Sequence, residues 1–172
     1  RNRRELGQVQ LRWEFTTTPA VQLRRNRLTQ PRHRICEKYN CLQLEIQDVR
    51  GLTAPSSSNC NLRLPSRGGE AGVFAAVAFG RTCHRTRRHP QDRQSTWGDV
   101  LVFPEVAPNS RLQLLVLREG SGSTGHTALL GYARLDVMDS DAAFGEAWVA
   151  LRSVPTLEGD MKRTVQEGAY QG

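Results

Sequence analysis

Residues 81–90 read RTCHRTRRHP, four arginines and two histidines in ten positions. Guanidinium groups make charge-assisted, often bidentate contacts to phosphate and carboxylate, so the chemistry on offer is anion recognition. In an extended chain, side chains alternate between faces. Arg81, Cys83, Arg85, Arg87 and His89 are therefore predicted on one side, with Thr82, His84, Thr86 and Arg88 on the other. A row of like charges repels itself. It either spreads into solvent, where charge on an edge strand discourages pairing with another sheet, or it meets an acidic partner. The predicted anion site is Arg81, Arg85, Arg87, Arg88 and His89. A second basic set, Arg24, Arg25, Arg27, Arg32 and Arg34, lies in TTTPAVQLRRNRLTQPRHRICEKYN (16–40) and is predicted to fold against the domain or to extend its basic surface.

Other chemistries find less support. Cys36, Cys41, Cys60 and Cys83 form no CxxC pair, and His33, His84, His89 and His126 follow no zinc spacing, so no metal and no cofactor is expected. REGSGSTGH (118–126) holds serines and a histidine without the G-x-S-x-G spacing of a nucleophile elbow, and reads as a loop. Asp136, Asp139 and Asp141 sit where turns and helix caps ordinarily use aspartate. Cys83 stands among arginines, a setting that favours thiolate, but no histidine is assigned to it as a base. No enzyme is predicted.

Composition narrows the partners. The formal charge is +7, and lysine occurs only at Lys38 and Lys162. That balance favours an acidic partner, whether lipid headgroup, nucleic acid or protein, and does not rank the three. Trp13, Trp97 and Trp148 lie among apolar strand neighbours and are predicted to pack in the core, which leaves no aromatic platform for nucleic acid. The longest apolar runs, VFAAVAF and LQLLVL, fall short of the roughly 18 residues of a membrane-spanning helix. Few cysteines in so long a chain imply free thiols in a reducing, cytoplasmic setting. The first residue is Arg1, not methionine, which fits a piece of a larger protein.

The elements that must position these groups are short strands. Apolar and polar residues alternate in QVQLRWEF (8–15) and CLQLEIQDV (41–49). VFAAVAF (73–79), WGDVLVF (97–103), LQLLVL (112–117), LLGYARLDV (129–137) and AWVALR (147–152) follow, with the arginine segment as an eighth strand. DSDAAFGEA (139–147) is predicted to hold a turn of helix capped by Asp139 or Ser140. Residues 16–40 and 53–70 lack strand pattern, and 154–172 read as a linker or tail after a domain spanning 1–153. Many short strands in one domain predict an all-β, eight-stranded antiparallel β-sandwich.

In order, these segments resemble the C2 domain, the sandwich of protein kinase C and the synaptotagmins. LGQVQLRWEF resembles the family's first strand and NCLQLEIQDVRGLTA its second; AGVFAAVAFG stands where the family has SDPYVKVxLG. RQSTWGDVLVF resembles xNPxWNExFxF, with Trp97 and Phe103 in the aromatic positions; SRLQLLVLRE, LLGYARLDV and EAWVALR resemble the later strands. The resemblance covers about residues 6–152 and implies a Greek-key sandwich. Calcium-binding members supply about five aspartates from two loops, as hard oxygen ligands. Here the matching positions fall at about Gly72, Arg118 and Gly120, with only Glu70 and Glu119 nearby, which implies a calcium-independent copy. Some members bind phosphoinositides or phosphatidylserine through a basic cluster on the strand that RTCHRTRRH matches. Two functions are therefore expected: a non-catalytic protein-assembly module of a larger intracellular scaffold, or calcium-independent membrane targeting through anionic lipid. Degenerate copies of this kind occur in scaffolds of centrioles and cilia, so a cytoplasmic, cytoskeleton-associated or peripheral membrane location is expected.

Overall fold

In the computed structural model the described residues are 6–17, 35, 38–52, 61–62, 72–90, 94–106, 110–119, 127–138 and 142–153. Their strands, in chain order, are β1 (Gln8–Thr16), β2 (Cys41–Arg50), β3 (Asn61–Leu62), β4 (Gly72–Phe79), β5 (Thr82–Arg85), β6 (Gln94–Phe103), β7 (Leu112–Glu119), β8 (Thr127–Leu135) and β9 (Phe144–Ala150). Eight strands of four residues or more, plus the two-residue β3, form two antiparallel sheets of order β6-β2-β1-β9 and β3-β8-β7-β4-β5. This is the predicted sandwich.

Alternation places the core. Val9, Leu11 and Phe15 of β1 and Leu42, Leu44 and Ile46 of β2 face the other sheet's Val73, Ala75, Val77, Phe79, Leu112, Leu114 and Val116. Each such side chain contributes about 1.5–3 kcal/mol when fully buried. β4 and β7 also bury their outward sides: Phe74, Ala76, Leu115, Leu117 and Leu129 form a second cluster, with Leu115 and Leu117 each 1% exposed. The unbroken apolar runs VFAAVAF and LQLLVL are the sequence trace of strands covered on both faces.

Three segments differ from expectation. Residues 144–147, read as part of a helical turn, belong to β9, because pairing with β1 in the register Glu14↔Phe144, Arg12↔Glu146, Gln10↔Trp148 satisfies their backbone. Gly145 makes that pairing possible: a Cβ there would lie 2.3 Å from the Trp13 ring. Leu151 and Arg152 leave that sheet, and Arg152 bridges Tyr132 of β8. Near the end of the 16–40 insertion, Ile35 packs in the core, Tyr39 N–H donates to Ile35 O at 2.9 Å, and Asn40 N–H to Thr16 O at 3.1 Å. Arg24, Arg25, Arg27, Arg32 and Arg34, along with Asp139, Ser140, Asp141 and residues 154–172, lie outside the described residues.

Candidate functional site

The arginine segment begins at a tight turn. Phe79 pairs with Thr82, so Gly80 and Arg81 form the loop, and Gly80 has φ +62°, a left-handed conformation that glycine adopts without penalty. Through β5 the alternation holds. Arg81, Cys83 and Arg85 face outward, while His84 points inward, its ring centroid 5.1 Å from that of Phe103. The Arg85 guanidinium lies 5.7 Å from the Phe74 ring centroid.

At Thr86 the alternation breaks. Ala76 pairs with Arg85 but Val73 with His89, so four steps on one strand span three on the other, a bulge. Thr86 Oγ1 accepts from Ala75 N–H at 2.9 Å and donates to Arg87 O at 2.9 Å, replacing the lost ladder contact with a side chain. The extra residue reverses which face each following side chain takes. Arg87 and His89 therefore leave the Arg81–Arg85 face and turn towards β6. This corrects the single row expected from the sequence.

Internal acids meet three of the basic groups. Arg87 Nε lies 2.8 Å from Asp99 Oδ1, and His89 Nε2 is hydrogen-bonded to Asp99 Oδ2. His89 stacks on Trp97 at 4.5 Å and 6°. Asp99 is 7% exposed, so its carboxylate is held by partners and not by bulk water. Arg88, now outward, places Nη2 2.6 Å from Oε2 of buried Glu119. That glutamate is the acid the sequence left at the loop end where calcium-binding relatives gather aspartates. Its neighbour Arg118 and its strand partner Gly72 supply no carboxylate; Glu70 and Gly120 lie outside the described residues. Among the described residues no group of three His, Cys, Asp or Glu could hold a metal ion. Arg81 and Arg85 have no carboxylate partner among the described residues.

A second surface was missed in the sequence. The outward side of the four-stranded sheet exposes Val100 (50%) and Val102 (49%) on β6 and Phe144 (74%) and Trp148 (38%) on β9. Trp97 is buried and Trp13 packs against the core, as predicted, but Trp148 lies on this outer face with the Arg50 guanidinium 3.9 Å above its ring. The available signal was GDVLVF, where Val100 and Val102 alternate with inward Leu101 and Phe103, so both faces of the strand are apolar.

The topology, two antiparallel sheets joined as a Greek-key sandwich, has known counterparts. No protein-family model matches the chain, and no curated protein matches it. Among solved structures, it is similar to the A-type C2 domain of RIM from Drosophila with a TM-score of 0.54, 13% identity, and coverage of 87% of this chain and 100% of that one. It is similar to the third C2 domain of KIAA1228 protein with a TM-score of 0.57 and 15% identity, over 90% of this chain and 93% of that one. For the A-type C2 domain of RIM2 the values are 0.53 and 10%, over 86% and 98%. The fold is that of a C2 domain.

Proposed function

We infer that the chain is a non-catalytic, calcium-independent interaction module that docks proteins within a larger cytoplasmic assembly. The observation that carries this reading is the apolar set Val100, Val102, Phe144 and Trp148, all on one outward sheet face. Exposed apolar groups gathered on one side mark interaction surfaces. Two further features support it. Asp99 and Glu119 bind Arg87, His89 and Arg88 internally, so the arginine segment offers an external anion little more than Arg81 and Arg85. The guanidinium of Arg88 occupies Glu119, the one described acid at the loop end, in place of a metal.

The second reading, calcium-independent membrane targeting, draws on Arg81 and Arg85, which lack a carboxylate partner among the described residues. Each is worth about 1 kcal/mol near an anionic surface. Co-sedimentation of the intact chain with phosphatidylserine and phosphoinositide vesicles separates the two. Protein docking predicts no pelleting at physiological salt, in calcium or in chelator. Pelleting that an Arg81→Gln, Arg85→Gln variant loses would establish the membrane reading instead.

A further inference from the structure

The two outward faces of the sandwich carry opposite charge. On the four-stranded sheet, one outward row across β2, β1 and β9 reads Glu45, Arg12, Glu146, and the next reads Gln43, Glu14, Phe144. Three carboxylates surround one guanidinium on a chain of formal charge +7. Glu146 accepts a hydrogen bond from Gln10 Nε2 at 2.6 Å and Glu45 one from Gln47 Nε2 at 3.4 Å. No ion pair reaches Glu14, Glu45 or Glu146 among the described residues.

On the five-stranded sheet, the outward rows across β5, β4, β7 and β8 read Arg85, Ala76, Leu115, Tyr132 and Cys83, Ala78, Gln113, Arg134. Arg81 extends the second side at the turn. Arg81, Arg85 and Arg134 thus border a floor of small and polar side chains, and none has a carboxylate partner among the described residues. With strands about 4.8 Å apart, Glu45 and Glu146 stand about 10 Å apart and Arg85 and Arg134 about 15 Å. The two patches are of similar breadth.

The geometry points to head-to-tail self-association, in which the acidic face of one copy, flanked by Val100, Val102, Phe144 and Trp148, seats on the basic face of the next. Each face repels its own kind, so a symmetric pair through either is disfavoured. Two different surfaces meet, and the contact propagates as an open chain unless its rotation closes a ring. This partner rests on the protein-docking reading and specifies it: the protein bound is a second copy.

Sedimentation velocity of the intact chain tests it. The weight-average mass rises with concentration at about 0.03 M salt, and the association constant falls roughly tenfold or more at about 0.5 M, where charges are screened within a few ångströms. Glu14→Lys, Glu45→Lys, Glu146→Lys abolishes self-association, and so does Arg81→Glu, Arg85→Glu, Arg134→Glu. An equimolar mixture of the two associates again, because each supplies the face the other lacks. If either reversed variant loses its circular-dichroism signature, the corresponding glutamine variants replace it and show the loss alone. A parent chain that stays monomeric at low salt overturns the proposal, as does association that both variants retain. A monomeric chain that also ignores vesicles leaves the docking reading standing and removes only this partner; one that pellets with vesicles removes both.

Discussion

Asp99→Asn combined with Glu119→Gln converts the internal account of the arginine segment into a gain of function. Both acids are buried, and between them they hold Arg87, His89 and Arg88. The amides keep the shape of each site but remove the charge that fixes each guanidinium. The Arg87 side chain is already 76% exposed, so it reaches a headgroup without desolvation; that of Arg88 is 31% exposed. At about 1 kcal/mol for each basic residue near an anionic surface, the two arginines add about 2 kcal/mol. That is a roughly thirtyfold rise in vesicle partitioning. Losing charge-assisted bonds at buried acids costs about 1–3 kcal/mol of stability apiece, so near-ultraviolet circular dichroism and a urea titration accompany the binding assay. The assay is co-sedimentation with phosphatidylserine vesicles at about 0.1 M salt. A folded double variant that binds no more tightly than the parent refutes the claim that these acids neutralise the segment.

Further predictions concern the scaffold. Gly145→Ala drives a methyl into the Trp13 ring and lowers stability by about 1–3 kcal/mol, read as a shift of the urea midpoint at constant slope. Leu115→Ala, on the outward yet buried side of β7, costs about 2–5 kcal/mol, as a core leucine does; a loss below about 0.5 kcal/mol contradicts burial there. Arg81→Gln with Arg85→Gln changes stability by no more than about 0.5 kcal/mol, since neither is ion-paired among the described residues. Thr86→Val removes the hydroxyl that closes the bulge, leaves Ala75 N–H unsatisfied, and costs about 1–3 kcal/mol on thermal unfolding.

The strands and their order were legible because apolar residues in 8–15, 41–49, 97–103 and 129–137 alternate, and alternation survives any choice of partner strand. What alternation does not give is the face. Trp148 sits in AWVALR among apolar neighbours, yet the pairing Gln10↔Trp148 puts it outside, beside Arg50. Phe144 was hidden for a different reason: acids and alanines before it mimic a capped helical turn, and only pairing with β1 overrides that local preference. The bulge at Thr86 leaves no mark in the sequence, since a threonine hydroxyl, not a glycine, completes the broken ladder. That one residue moves Arg87 and His89 from a predicted anion site to an internal clamp on Asp99, an acid that reads as an ordinary member of an alternating strand. The basic character of the segment was visible, but its neutralisation depends on contacts across the sandwich.

The most direct measurement is an amide nitrogen–proton NMR titration of the intact chain with an inositol phosphate headgroup and, separately, with calcium. The account predicts no saturable shifts from Thr82 to Arg85 or at Gly72 and Glu119 in either titration, because Arg88 already occupies the described acid at the loop end and the basic segment is largely neutralised internally. Saturable, headgroup-dependent shifts along β5, or calcium-dependent shifts at Glu119, would contradict it.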